Sequence, residues 1–123
     1  MFMPELKMTE ELFASEVGKF KWCGFSGEGI HALWKWYSET VKHAVVFNPE
    51  HVAYSWVEYE NARDAVGDLN EGYIKGFIRK ENGKRLTEMD MRTFSEDLLL
   101  VLLKKKMNCI VTDSGRILVD ISD

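Results

Sequence analysis

The chain has 123 residues, of which 46% are apolar and 29% are charged, a size and composition typical of one globular domain that we expect to span residues 1–123. The same composition excludes an intrinsically disordered, collagen-like or coiled-coil chain. The formal net charge of −4 is too small to identify either a DNA mimic or a nucleic-acid-binding protein.

Two helices are predicted in the first third of the chain. Residues 5–17 have apolar side chains at mixed spacings, which predicts a short helix that ends near Gly18. Ser26 is a suitable N-cap for a second helix, and Glu28 would lie favourably in its positive first turn. The apolar stripe that supports this second helix consists of Ile30, Leu33, Trp34, Tyr37 and Val41.

Extended structure is predicted next. Residues 45–47 are β-prone and are followed by an Asn-Pro pair, which favours a turn. In residues 52–59, both sets of alternate positions are largely apolar, which predicts a strand that is covered on both faces. Asn61 is predicted to cap a third helix, which ends near Gly72.

The second half contains two hairpin candidates and the most apolar helix. Residues 74–87 contain an Asn-Gly pair, which favours a tight hairpin, but their polar second arm also fits a mobile basic loop. Residues 93–96 form a capping-box pattern before a buried helix at 97–106. Residues 109–111 and 117–119 flank a turn and predict a C-terminal β-hairpin. Together these elements predict an α+β fold in which a small, mostly antiparallel sheet packs against several helices.

The sequence contains no motif that indicates catalysis. Its three histidines, His31, His43 and His51, are 12 and 8 residues apart and match no metal-binding motif. We expect Cys23 and Cys109 to be free thiols that pack as small apolar side chains. Motifs for serine nucleophiles, phosphate-binding loops and dinucleotides are missing as well. We therefore expect a protein that is not an enzyme and that uses no cofactor and no metal.

Nothing in the sequence indicates a membrane protein. The longest apolar run, residues 98–103, is much shorter than the roughly 20 residues of a membrane span. The N-terminal residues lack the basic flank and the apolar core of a signal peptide. We therefore expect a cytoplasmic protein with no membrane partner.

The charged residues form two blocks of opposite sign. Residues 44–73 have a net charge of −5 and residues 74–107 a net charge of +4. The acidic block can be a solvated face or a patch that contacts a basic partner, and its members are Glu50, Glu58, Glu60, Asp64, Asp68 and Glu71. The basic block can pair with these acids, remain solvated or contact phosphate. Its candidate nucleic-acid-binding residues are Lys75, Arg79, Lys80, Lys84, Arg85 and Arg92.

Trp36 lies outside the apolar stripe of the second predicted helix. It is about 200° around the helix from Trp34, because each residue turns the helix by about 100°. An exposed tryptophan is a common binding hot spot, so Trp36 is a candidate anchor for a partner protein. The alternative is that Trp36 belongs to a second packing layer.

Three segments resemble a loosely defined set of small, uncharacterised proteins from phages and other mobile elements. Residues 25–34, with the sequence FSGEGIHALW, resemble the start of a helix in that set. Residues 46–61 resemble its strand with an E-Y-E/D segment that leads into a helix, and residues 110–119 resemble its closing hairpin. The resemblance covers about half of the chain and carries over no catalytic residue.

A mobile-element origin implies a short accessory protein that acts on bacterial host machinery by binding. The leading hypothesis is a non-enzymatic inhibitor of a host defence nuclease complex, of the anti-CRISPR or anti-restriction type, that uses the acidic block and Trp36 in the host cytoplasm. The alternative is an accessory protein that binds nucleic acid directly through the basic residues 75–92. A homo-oligomeric structural protein is a third hypothesis.

Overall fold

A computed structural model of the protein describes residues 9–20, 24–40, 49–72 and 76–121. In chain order, the elements within these ranges are α1 Glu10–Gly18, α2 Gly27–Thr40, α3 Pro49–Ser55, β1 Trp56–Tyr59, α4 Ala62–Gly72, α5 Glu88–Thr93, α6 Glu96–Lys106, β2 Cys109–Val111 and β3 Ile117–Asp120. The predicted α+β fold class is confirmed.

The strands form an antiparallel sheet in the order β1-β3-β2, with β3 in the centre. Because side chains alternate along a strand, Leu118 of β3 points to one face of the sheet, and Ile117 and Val119 point to the other. Leu118 packs with residues of α1, α2 and α3, whereas Ile117 and Val119 pack with residues of α4 and α6. The sheet therefore separates two groups of helices, and the predicted C-terminal hairpin of β2 and β3 is confirmed.

Two buried apolar clusters stabilise this arrangement. The cluster on the α1–α3 side contains Phe13, Val17, Leu33, Val52, Trp56 and Leu118. The cluster on the α4–α6 side contains Ala62, Ala65, Val66, Leu69, Ile78, Leu99, Leu102, Leu103, Met107, Ile117 and Val119. Burial of one large aliphatic side chain contributes about 1.5–3 kcal/mol, so these clusters supply much of the driving force for folding.

Polar side chains cap α2 and α4 as the sequence predicts. The hydroxyl oxygen of Ser26 accepts a hydrogen bond from the N–H of Gly29 at 2.9 Å. The side-chain oxygen of Asn61 accepts one from the N–H of Asp64 at 2.7 Å. Each bond satisfies a backbone donor that has no partner within its helix.

The start of α6 differs from the predicted capping box. Ser95 is the N-cap, and its hydroxyl oxygen accepts a hydrogen bond from the N–H of Leu98 at 3.1 Å. The hydroxyl of Thr93, the predicted cap, donates to the carbonyl of Met89 at 2.9 Å instead. The carboxylate of Glu96 accepts hydrogen bonds from the first two N–H groups of α4, which lies far away in the sequence. A tertiary contact therefore replaces the predicted local one.

The prediction of one strand over residues 52–59 is wrong in its first half. The helix α3 continues to Ser55, and β1 begins only at Trp56. The buried residues Val52, Ala53 and Trp56 have the spacing of one helical face, and the proline at the first position of α3 favours a helix start. Odd- and even-numbered residues of this segment are both largely apolar, so the sequence also fits a strand that is buried on both faces.

The segment between α4 and α6 contains a tight turn and a short helix. Gly83 occupies the turn with a φ of +81°, a conformation that glycine adopts without strain. A single β-bridge joins Arg79 and Arg85 across the turn, so the described part of this segment is a minimal hairpin. The helix α5 was not predicted, although Thr87 begins it with a capping box.

Some predictions fall on residues that the structure does not describe. They concern the start of the first predicted helix at residues 5–8, Val41 of the apolar stripe, His43, the β-prone residues 45–47, Cys23 and Lys75. Among the helices that are described, none is long and apolar enough to cross a membrane.

Candidate functional site

Glu58 of the acidic block lies inside the molecule. Its side chain is 1% exposed. The carboxylate oxygen Oε2 pairs with Nε of Arg116, and Oε1 accepts a hydrogen bond from the N–H of Ser26 at 3.1 Å. Glu58 therefore joins the start of α2 to the sheet and does not lie on the partner surface that was predicted for it.

The first turn of α2 brings two carboxylates close to the backbone. A Cβ atom at Gly29 would overlap Oε1 of Glu58 and lie 2.8 Å from its Cδ, so any larger residue here would displace the Glu58 carboxylate. The carboxylate of Glu28 accepts hydrogen bonds from the hydroxyl and the N–H of Ser114, both at 2.6 Å. The bond from the Ser114 hydroxyl is the main cause of a lowered pKa of Glu28. Both carboxylates therefore connect α2 to the β2–β3 region.

The other acidic residues of the predicted surface are exposed. Asp64, Asp68 and Glu71 follow one another at helical spacing along α4, and Glu60 precedes this helix; we call these four residues the acidic face. The hydroxyl of Tyr59 donates a hydrogen bond to Oδ2 of Asp68 at 2.5 Å. Burial, followed by this bond, raises the pKa of Tyr59.

Glu50 is exposed on α3, outside the acidic face. Its helix packs against α1 and β1, whereas α4 packs mainly against α6. The structure thus separates the six predicted acids into Glu58 in the interior, Glu50 on α3 and the four residues of the acidic face.

Trp36 is half-buried rather than fully exposed. Its ring packs edge-on against Trp56, with 5.2 Å between ring centroids, and against Tyr37 at 4.9 Å. The remaining surface of Trp36 contributes to a cleft of about 280 Å³ between α2 and β2. The position of Trp36 therefore fits a second packing layer better than an exposed anchor for a partner.

Two residues of the basic block pair with acids of the same stretch of chain. Nζ of Lys80 lies 3.0 Å from Oδ2 of Asp90, and Nη2 of Arg92 lies 2.8 Å from Oε1 of Glu88. The pKa of Asp90 is lowered, mainly by the backbone N–H of Thr87 and then by Lys80. These pairs neutralise charge within this stretch of chain, and neither pair contains a residue of the acidic face.

The turn places two arginines at one aromatic ring. The guanidinium carbon of Arg85 lies 3.6 Å from the centre of the Phe77 ring, and that of Arg79 lies 5.8 Å from it. Both arginines and the neighbouring Lys84 are exposed. At 3.6 Å the guanidinium group of Arg85 is in stacking contact with the ring.

The C-terminal end of α6 brings further cations to the same place. Lys105 and Lys106 join Arg79 and Lys80 around a cleft of about 380 Å³, which we call the basic cleft. The cleft is also lined by Glu81, whose Oε1 is 3.1 Å from Nζ of Lys105.

The remaining lining residues of the basic cleft are Gly76, Phe77 and Leu102. Gly76 leaves space for Lys106, whose Nζ would lie 3.4 Å from a Cβ at that position. The cleft thus combines four cationic side chains, one carboxylate and one aromatic ring. Such a lining attracts an anion and offers an apolar surface beside it.

Sequence reasoning identified Arg79, Lys80 and Arg85 but did not assign Lys105 and Lys106 to the basic surface. A run of three lysines at the end of a predicted helix is a visible signal, but it is also explained by the negative C-terminal end of the helix dipole. Only the folded arrangement shows that these lysines meet the turn.

The described residues offer little for covalent chemistry or metal binding. Nδ1 of His31 lies 2.6 Å from Oε1 of Glu10 on the surface. Burial raises the pKa of Cys109 to about 11, which keeps its sulfur in the unreactive thiol form at neutral pH. Within the ranges that the structure covers, no group of three or more His, Cys, Asp or Glu side chains is placed to hold a metal ion.

Comparison of the chain with models of protein families, with curated proteins and with solved structures gave no significant match.

Proposed function

We propose that this protein binds nucleic acid through the basic cleft and catalyses no reaction. The observation that carries the proposal is the convergence of Arg79, Lys80, Lys105 and Lys106, which come from two separate segments, on one cleft. Lys80 pairs with Asp90 and Lys105 with Glu81, so the four cations still exceed the two neighbouring carboxylates. A cleft with an excess of positive charge attracts a polyanion such as a nucleic-acid backbone.

Phosphate is the group that this cleft suits best. Arginine offers a planar fork of N–H donors to phosphate oxygens, and lysine offers a compact positive charge. The net charge of the whole chain is −4, so a nucleic acid would be repelled by the rest of the surface. Binding must therefore be local, and it must weaken as salt screens the few contacts.

A pair of matched charge reversals tests the proposal. Lys105 is 58% exposed and lies 3.1 Å from Glu81, while Lys19 is 64% exposed and lies 2.9 Å from Glu16 on α1. Both lysines thus form a surface ion pair, and both reversals change the net charge of the protein equally. Only Lys105 lies in the basic cleft.

The assay is fluorescence anisotropy with labelled oligonucleotides at about 50 mM salt, a condition that favours electrostatic binding. We expect Lys105→Glu to weaken binding by at least about fivefold and Lys19→Glu to change it by less than about twofold. Equal effects of both substitutions, or no binding by the wild-type protein, would contradict the proposal.

A second candidate function is inhibition of a host defence nuclease complex through the acidic face. It is supported by the exposure of Asp64, Asp68 and Glu71 along one side of α4, and it agrees with the origin that the sequence resemblance implies. A row of carboxylates can occupy a basic nucleic-acid-binding surface on another protein and steer its association. Glu58 has no part in this version of the hypothesis.

The test of the second candidate is cleavage of target DNA by purified CRISPR and restriction nucleases in the presence of this protein. We expect the wild-type protein to reduce cleavage, and the double variant Asp64→Lys, Glu71→Lys to lose that effect. The basic-cleft variant Lys105→Glu should inhibit as well as the wild-type protein does. Inhibition that depends on Lys105 rather than on the acidic face would refute this candidate.

A further inference from the structure

We infer that the Arg85–Phe77 pair is a stacking platform for an unpaired nucleobase, so that the preferred ligand of the basic cleft is single-stranded nucleic acid. This inference rests on the proposed function and specifies its ligand. Its starting point is the 3.6 Å distance between the guanidinium carbon of Arg85 and the centre of the Phe77 ring.

The platform is held in a defined position. Arg85 forms the β-bridge with Arg79, and the turn is closed by a hydrogen bond of 2.9 Å from the N–H of Lys80 to the carbonyl of Lys84. Arg85 can therefore stack on the ring without the whole segment having to be ordered on binding, which lowers the entropic cost of binding.

Phe77 is fixed through the next residue in the chain. Ile78 is fully buried, and its N–H donates to Oδ1 of Asn70 at 2.7 Å. Nδ2 of the same Asn70 donates to the Ile78 carbonyl at 3.2 Å. A side chain of α4 thus holds this segment as a neighbouring strand would hold it, and the ring of Phe77 stays at the edge of the basic cleft.

The combination of a flat cation with a phosphate-binding cleft fits a nucleotide. Guanidinium planes and aromatic rings stack on the faces of bases, while the cations beside them contact the backbone. Phe77 lines the basic cleft together with Arg79 and Lys105, and Arg85 stacks on Phe77, so the platform adjoins the cleft in which the phosphate would bind. In a duplex the base faces are covered by their neighbours, and this contact is lost.

A charge-conserving substitution separates stacking from simple attraction. Arg85→Lys keeps the positive charge but removes the planar group. Arg92→Lys is the matched control, because Arg92 is an exposed arginine of the same stretch of chain that pairs with Glu88 and lies outside the Phe77 contact. Phe77→Leu is a second test, which removes the ring under Arg85 but keeps an apolar side chain.

The experiment compares three probes by fluorescence anisotropy: an oligothymidylate of about 12 nucleotides, within the range of known single-strand sites, an abasic strand of the same length, and a duplex. We expect the wild-type protein to bind the oligothymidylate about tenfold more tightly than the abasic strand and the duplex. Arg85→Lys and Phe77→Leu should abolish this preference while salt-sensitive binding to the abasic strand remains. Arg92→Lys should retain the preference.

Two outcomes would overturn the inference. Equal binding of the oligothymidylate and the abasic strand by the wild-type protein shows that bases are not contacted. An unchanged preference in Arg85→Lys shows that the guanidinium plane is not the platform. In either case binding to the abasic strand still supports the proposed function, whereas the absence of binding to all three probes refutes that function and the inference together.

Discussion

Replacement of Gly29 by alanine should destabilise the protein, although alanine is the better helix former. In the interior of a helix, alanine is favoured over glycine by about 1 kcal/mol. The new Cβ would occupy the place of Oε1 of Glu58 and force the carboxylate away from Ser26 and Arg116. Loss of two hydrogen bonds to a charged group costs about 3 kcal/mol. The net loss in the free energy of unfolding is therefore about 2 kcal/mol.

The assay is urea unfolding of Gly29→Ala beside Gly27→Ala, because a Cβ at Gly27 would have no heavy atom within 4 Å among its described surroundings. We expect a lower midpoint with an unchanged slope for Gly29→Ala, and a midpoint equal to or above that of the wild type for Gly27→Ala. In a Glu58→Ala background, Gly29→Ala should no longer destabilise, since the carboxylate that it displaces is gone. A Gly29→Ala protein that is as stable as Gly27→Ala would refute the structural role assigned to Glu58.

Three further predictions concern other parts of the fold. Asn70→Ala should lower the free energy of unfolding by about 2 kcal/mol in urea titrations, because it leaves two buried backbone groups of Ile78 without their hydrogen-bond partner. Trp36→Ala should lower it by about 2 kcal/mol through lost packing against Trp56, whereas an unchanged stability would favour the exposed anchor. The raised pKa of Cys109, about 11 against an ordinary value of 9.0, favours the neutral thiol in the folded state, so its contribution to stability should be lost as the pH rises from about 9 to 11. At pH 8, alkylation of Cys109 followed by mass spectrometry should be slower in the folded protein than in urea, and equal rates would contradict the burial of its sulfur.

Much of the fold could be predicted from local patterns. The caps of α2 and α4 and the C-terminal hairpin depend on residues that are close in sequence, and these predictions are confirmed. The division of residues 52–59 into helix and strand depends on which side chains the rest of the fold buries. The apolar residues of this segment fit both strand spacing and helix spacing, so the sequence alone does not show where the helix ends. The hydrogen bonds of Glu96 to α4 illustrate the same limit, because Glu96 contacts a distant helix instead of completing the predicted capping box.

The candidate site was less predictable than the fold. The sequence indicated the basic residues 75–92, but the basic cleft also contains Lys105 and Lys106, which lie near the turn only in the folded protein. Conversely, the sequence placed Glu58 among surface acids, although Arg116 and the start of α2 enclose it. A charge count along the chain therefore identified a segment of interest, and tertiary contacts decided which of its charges are available to a ligand.

The central claim is that nucleic acid binds through a few phosphate contacts in the basic cleft. The most direct measurement is the dependence of the oligonucleotide dissociation constant on salt concentration for the wild-type protein and Lys105→Glu. Three or four contacts with a single strand predict a slope of roughly −2 to −3 for the logarithm of the binding constant against that of salt concentration. The loss of one contact in Lys105→Glu should make the slope shallower by about 0.7. A slope near zero, or the same slope for both proteins, would contradict the account.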